Sequence, residues 1–203
     1  LLQAALVGGH VIGQRFDRYG RPQGPEFIVN SDYMAGDQKE PDVAMDDFGN
    51  FVVVWSGMGE GDDTGIWARR YDAWGNALDD KSFRVNNYRN YTQSDPHVAM
   101  DADGDFAISW TSYGQDGDKD GVFARRYNFL GQPQENSGEF QVNTYSKNRQ
   151  RTSDIAMDNH GNFAVVWMSD AQDGSAWGVY GQRFNAAGQK LGGEFLVNQY
   201  TND

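Results

Sequence analysis

The sequence repeats itself, and this restricts the available folds more than any other feature does. Pro41-Asp-Val-Ala-Met-Asp46 returns as Pro96-His-Val-Ala-Met-Asp101 and as Ser153-Asp-Ile-Ala-Met-Asp158. Each copy is followed by a Gly-containing turn and an apolar run ending in Trp: Phe51-Val-Val-Val-Trp55, Phe106-Ala-Ile-Ser-Trp110 and Phe163-Ala-Val-Val-Trp167. The tryptophans recur 55 and 57 residues apart. A third segment follows, Ile66-Trp-Ala-Arg-Arg-Tyr71, Val122-Phe-Ala-Arg-Arg-Tyr127 and Val179-Tyr-Gly-Gln-Arg-Phe184, then a fourth, Phe83-Arg-Val-Asn86, Phe140-Gln-Val-Asn143 and Phe195-Leu-Val-Asn198. The last two segments also occur once upstream, as Val11-Ile-Gly-Gln-Arg-Phe16 and Phe27-Ile-Val-Asn30. The reading is a leading half unit of two strands (1–30) followed by three units, 31–86, 87–143 and 144–203.

All four segments are short, rich in β-branched and aromatic residues, and bounded by Gly, Asn, Asp or Pro, as strands are. No stretch sustains a helical period. Phe51, Val53 and Trp55 share one strand face and Val52 and Val54 the other, so both faces are apolar and the strand is covered on both sides. Four short strands in a period of about 56 residues fit a propeller blade. The expected fold is therefore all-β, a propeller-like array of four-stranded antiparallel units, with a β-trefoil as the alternative. The leading half unit would leave an unpaired edge that invites strand addition. That edge implies protein subunits as partners, in a homo-oligomer or a larger assembly.

Composition narrows the function classes. There are 17 Lys and Arg against 29 Asp and Glu, a formal charge of −12. That balance argues against nucleic acid, whose binding rests on cationic side chains, and against anionic lipid. Aromatic residues make up 14% of the chain, too many for an acidic disordered segment. There is no Cys, which excludes disulfides, thiolate-bound metals and a thiol nucleophile. No apolar run reaches the roughly 20 residues of a membrane helix, so no direct membrane insertion is expected. The sequence opens at Leu1, and residues 1–7 are too short and too neutral for a signal peptide; a processed chain or an excerpt is expected.

The layout resembles NHL-type propeller repeats. It more closely resembles a tandem repeat of large secreted bacterial proteins, through Gln38-x-x-Pro41, Gln93-x-x-Pro96, Gln115-Asp-Gly117, Gln172-Asp-Gly174, Gln182-Arg-Phe184 and Gly193-Glu-Phe-Leu-Val-Asn198. Ser153 and Met58-Gly-Glu-Gly61 depart from that pattern. The resemblance implies an extracellular, secreted or cell-surface, repetitive and non-catalytic module. It also implies calcium-binding and adhesive neighbours.

Three groups of residues are candidates for chemistry. The Gly-rich acidic loops hold Asp62 and Asp63; Asp101, Asp103 and Asp105; Asp116, Asp118 and Asp120; and Asp173. Calcium takes six to eight oxygen ligands from such flexible loops, although solvated turns use the same residues. Arg15, Arg70, Arg126 and Arg183 recur with Asp46, Asp101 and Asp158, which suggests a structural bidentate Arg–Asp pair in each unit. Trp67 aligns with Phe123 and Tyr180, in core or on a sugar-stacking face. Trp74 and Trp177 are peculiar to their units and are the better ligand or partner candidates. His10, His97 and His160 fall at different places in their units, and no HExxH, GxSxG or phosphate-loop motif occurs. The expectation is a non-catalytic binding or assembly module, with calcium as the one candidate cofactor and no organic one. The alternatives are a lectin that takes glycans or, less favoured, a carbohydrate-active hydrolase. A pocket holding residues peculiar to one unit would favour the alternatives.

Overall fold

The computed structural model describes residues 2–134, 138–174 and 176–199. Among them no helix forms, and none long and apolar enough to cross a membrane is present. Fifteen strands build four antiparallel sheets. The leading sheet holds β1 (Leu2–Val7), β2 (His10–Arg15) and β3 (Phe27–Ile28). Blade 1 holds β4 (Gln38–Met45), β5 (Phe51–Gly59), β6 (Asp62–Tyr71) and β7 (Phe83–Arg84). Blade 2 holds β8 (Gln93–Met100), β9 (Phe106–Tyr113), β10 (Asp120–Tyr127) and β11 (Phe140–Gln141). Blade 3 holds β12 (Gln150–Met157), β13 (Phe163–Asp170), β14 (Trp177–Phe184) and β15 (Phe195–Leu196). Within each sheet the strands follow chain order, and successive sheets pack in series with β4, β8 and β12 side by side along the inner edge. This is a propeller-like array. Each unit is a separate sheet, which sets the trefoil aside.

The leading unit differs from the expectation. Residues 2–7 are not a loose segment but a strand that pairs with β2 around Gly8-Gly9. Both glycines have positive φ, the backbone a two-residue hairpin turn demands. The leading sheet therefore lacks only the innermost strand of a blade.

The repeated residues have identifiable jobs. Trp55, Trp110 and Trp167 are buried between sheets. Phe51 stacks on Tyr71, Phe106 on Tyr127 and Phe163 on Phe184, with centroids 4.9, 4.9 and 4.6 Å apart, so these aromatic rows are core. Asn86 Oδ1 accepts from the Ile66 N–H while the Val85 N–H donates to the Ile66 carbonyl, which extends the two-residue fourth strand. Asn30, Asn143 and Asn198 do the same in their units.

The Arg–Asp pairing is corrected. Asp46 Oδ1 accepts from the Phe48 and Asn50 N–H groups, and Asp101 and Asp158 close the same turns in blades 2 and 3. The arginines reach instead to the next sheet. Arg15 donates to the Ala73 carbonyl at 2.7 Å, Arg70 to that of Phe129 at 3.0 Å, and Arg126 to that of Ala186. Arg70 also pairs with Asp79 at 2.6 Å, and Arg183, at the end of the array, is exposed. The preceding Arg of each Arg-Arg pair reaches backwards, Arg69 to the Val29 carbonyl and Arg125 to that of Val85. Blade 3 has Gln182 at that position, and Lys190 supplies the contact instead, to the Val142 carbonyl at 2.8 Å. Blades 1 and 2 are thus clasped to both neighbours through backbone carbonyls, and blade 3 to blade 2.

Candidate functional site

The inner strands carry the chemistry. In each of them the pairing slips by one step, between Lys39 and Asp42, Ser94 and His97, and Arg151 and Asp154. The residue at the slip has left-handed backbone: Glu40 at φ 53°, Asp95 at 49° and Thr152 at 54°. Bulges of this kind re-aim side chains, and strained non-glycine residues gather at functional sites. Buried Gln38, Gln93 and Gln150 anchor the start of each slip by donating to the Ala35, Asn90 and Lys147 carbonyls.

The slips bring a set of ionisable groups together across three blades. Glu40 Oε2 accepts from Ser56 Oγ at 2.7 Å and from the Asp95 N–H at 2.8 Å. Asp42 Oδ2 accepts from the Val98 N–H at 3.0 Å and lies 3.4 Å from His97 Nδ1, which is 3.8 Å from Asp154 Oδ1. The two carboxylates Asp42 and Asp95 are pushed in opposite directions. Burial works against ionisation of Asp42, but hydrogen bonds from His97, Val98 and Val43 and the His97 charge outweigh it and hold its carboxyl below the usual value. Burial raises Asp95, and the charge and side-chain hydrogen bond of Glu40 raise it further. The hydrogen bond to Asp42 raises His97 against its own desolvation, with the charges of Asp42, Asp154 and Asp95 adding to it.

A groove leads outward from this cluster along the seam between blades 1 and 2. A space of about 390 Å³ opens beside Glu40 and Ser56. A second space of about 550 Å³ shares Asp63, Thr64 and Thr92 with it and continues to Arg89 and Tyr91. Tyr91 is exposed, lies edge-on to Tyr113 at 5.7 Å, and has φ 61°. Blade 1 has Gly36 at the matching position and blade 3 has Asn148, residue types that tolerate this backbone. A bulky Tyr is held there with its ring edge-on to Tyr113 and lining the groove.

The residues singled out from sequence fare unevenly. Trp67 is corrected from ligand candidate to core: it is buried and its Nε1 donates to the Gly57 carbonyl. Trp74 is exposed in a turn away from the cluster. Trp177 is half-buried beneath the Arg151 guanidinium, 4.8 Å from its ring centre, and the Arg151 charge acts on Asp95. Among the calcium candidates, Asp101 closes a turn, and Asp105 accepts from the Phe129 N–H and Gln134. Asp62 holds Thr64 and Asn86, Asp118 holds Asn148, and Asp120 faces Arg149 at 3.7 Å. Asp63 and Asp103 are exposed, and Asp173 Oδ2 lies beside Gly178. Among the described residues no three acidic or histidine side chains converge as a metal site would require.

Sequence reasoning passed over Glu40, Asp42, Asp95, Asp154 and Tyr91. A signal existed. After the recurring Gln38, Gln93 and Gln150 the two following residues differ from unit to unit, Lys-Glu, Ser-Asp and Arg-Thr, and His97 stands where the other units have Asp42 and Asp154.

No protein-family model matches the sequence, and a search of characterised proteins finds no match. Solved structures do match in fold. An endo-arabinase from Bacteroides thetaiotaomicron superposes with a TM-score of 0.59 at 15% identity, over 98% of this chain and 76% of its own. An α-L-arabinofuranosidase from Lactobacillus brevis gives 0.52 at 10% identity, over 98% and 77%. An α-L-arabinanase from Penicillium chrysogenum gives 0.50 at 9% identity, over 97% and 70%. At these identities the likeness is one of fold. The expectation of a non-enzyme, drawn from a missing motif, is corrected. The matching folds are those of glycoside hydrolases, and the acid–base groups here are gathered by topology from three blades, where no local motif can record them.

Proposed function

We propose that the chain is a carbohydrate-active enzyme that hydrolyses glycosidic bonds at the inner-strand cluster. The observation that carries the reading is the opposed proton affinity of Asp42 and Asp95 on neighbouring inner strands. A glycosidase needs one carboxyl that keeps a proton and one that gives it up, and divergent environments assign the two roles. Asp95, whose carboxyl burial and the Glu40 charge push upward, donates its proton to the glycosidic oxygen as the bond to the anomeric carbon breaks. Asp42, ionised and oriented by His97, takes the proton from the water that attacks that carbon. One water is consumed: the leaving hydroxyl carries the Asp95 proton, the anomeric hydroxyl keeps one water hydrogen, and the other, taken by Asp42, is exchanged through solvent as Asp95 regains a proton. The groove past Ser56, Thr64 and Thr92 offers hydroxyls to sugar hydroxyls, and Tyr91 offers a ring face. Neutral plant-type glycans such as arabinan are the first substrates to try, in keeping with the hydrolases that share the fold. The reading carries with it a secreted or cell-surface location.

The test is reducing-sugar release from linear arabinan, xylan and a panel of p-nitrophenyl glycosides by wild type, Asp95→Asn and Asp42→Asn. Activity reduced by about 10²–10⁴-fold in each variant, with unchanged circular dichroism, supports the assignment. A variant as active as wild type overturns its residue's role, and a folded wild type inert on the whole panel overturns the reading.

For the 116–120 loop, whose carboxylates are not gathered around one point, we propose that calcium draws Asp116 and Asp118 together on binding. Asp116 Oδ2 is buried without a hydrogen-bond partner, and Asp118 stands two residues away.

A further inference from the structure

At the far end of the same seam, where β4 and β8 run out into their Asp-x-x-Gly turns, lies a second cleft of about 510 Å³. That volume is within the range of small-ligand sites. Its walls are Phe48 from the blade 1 turn and Phe129 and Leu130 from the blade 2 turn, with Leu78 beside them. All four are more than half exposed; Phe48 reaches 73%. Turn tips are ordinarily polar, so large apolar side chains gathered on three of them call for an explanation.

The equivalent cleft between blades 2 and 3 shows what the scaffold makes by default. Asp103 stands for Phe48, Gln134 for Leu78, and Ala186 and Ala187 for Phe129 and Leu130, and the space shrinks to about 70 Å³. The larger cleft is therefore specific to one seam. It is also held in shape from both sides: Asp105 accepts from the Phe129 N–H at 2.8 Å, and Arg70 donates to the Phe129 carbonyl at 3.0 Å.

The chemistry of the lining selects the occupant. Two phenyl rings suit the C–H face of a sugar. Asp103 is exposed at the rim beside Asn50, and Asp46 has acceptor capacity beyond its turn bonds. A wholly apolar occupant would strip water from these groups, and an anion would meet two carboxylates on a chain of charge −12. A neutral ring with hydroxyls at its edge satisfies both surfaces. We infer that this cleft is a second glycan-binding site, which grips a polysaccharide away from the inner-strand cluster. The inference rests on the carbohydrate reading of the protein but not on hydrolysis.

The experiment compares Phe48→Ser/Phe129→Ser with its parent in a Tyr91→Gly/Asp95→Asn background, which weakens the inner-strand site. Binding of arabinohexaose, xylohexaose and cellohexaose is followed by isothermal calorimetry and by affinity electrophoresis in the matching polysaccharides. The parent should bind at least one of these glycans, and loss of the two rings should weaken that binding about tenfold or more. In the active background the double variant should need more polymer for half-maximal rate while cleaving a p-nitrophenyl glycoside as before. Unchanged binding in the double variant, or a parent that binds none of the three glycans, overturns the inference. Leu78→Gln, which copies blade 2, is the milder variant should the double one fail to fold, and it should weaken the same binding. Loss of hydrolysis with glycan binding intact would sink the enzymatic reading and leave this site standing.

Discussion

Replacing Tyr91 by Gly separates function from stability. A non-glycine residue in left-handed backbone costs roughly 1–2 kcal/mol, and Tyr91 sits there at φ 61°. Gly removes that cost but adds about 0.5–1 kcal/mol of unfolded-chain entropy. It also loses the edge-on contact with Tyr113, worth about 0.5–1.5 kcal/mol. The three amounts largely offset one another, so the folded state should change by no more than about 1.5 kcal/mol. The backbone bond from Thr64 Oγ1 to the Tyr91 carbonyl survives, because it does not involve the side chain. Substrate contact has no such offset: a ring that stacks on sugar is simply lost, and affinity should fall about tenfold. The assays are urea unfolding and oligosaccharide titration on the same preparation. Destabilisation above about 2 kcal/mol with unchanged affinity would refute the reasoning and return Tyr91 to a packing role.

Activity should rise as pH climbs through the lowered pKa of Asp42 and fall as it passes the raised pKa of Asp95; a rate that keeps rising to alkaline pH would reverse the roles. The folded pKa values of His97 and Asp95 lie above their ordinary values of 6.5 and 3.8, so the stability they contribute is full below those values and is lost as pH rises through the folded ones. Asp42 contributes above 3.8 and loses its contribution as pH falls, and Asp42→Asn should start the His97-linked decline at lower pH, as a stability–pH profile will show. Calcium at a hundred times its dissociation constant would add about 2.7 kcal/mol, so melts in millimolar calcium and in EGTA should differ by several degrees; coincident melts remove calcium from the 116–120 loop. Lys190→Met keeps the side-chain stem and removes the bond to the Val142 carbonyl. Because Lys190 lies at the surface the expected loss is at the low end for a charged donor, about 1–1.5 kcal/mol, and a variant with the wild-type melting temperature would show that the clasp contributes nothing.

The sheets were legible because packing recurs. The Phe-x-x-x-Trp strand, the Asp-x-x-Gly turn and the Val-Asn closure obey the same local rules in every unit, so periodicity reveals them. The strand at Leu2–Val7 was missed because its sequence does not repeat, although Gly8-Gly9 is a hairpin signal. The arginines were given the wrong partners. Their acceptors are carbonyls 58 to 60 residues away, and a carbonyl has no sequence signature. The site was hidden for a related reason. Asp42, Asp95 and His97 are ordinary residues in an acidic chain until a slip in pairing turns them toward one another. Counting carboxylates in loops drew attention to the turns, where most of them hold backbone N–H groups.

The two-way clasp also sets where the molecule loosens first. Blades 1 and 2 cannot open without breaking forward and backward bonds, whereas within these 203 residues the leading sheet and blade 3 each have one such set. The fourth-strand valines record the difference: Val29, Val85 and Val142 are 0% exposed, and Val197 is 48% exposed. Amide exchange should therefore be graded, fastest in the last sheet and the leading hairpin and slowest around β4 to β9. Asp42 and Asp95 lie on the seam between blades 1 and 2, which is flanked by blades clasped on both sides, so their spacing outlasts the loosening of the last sheet.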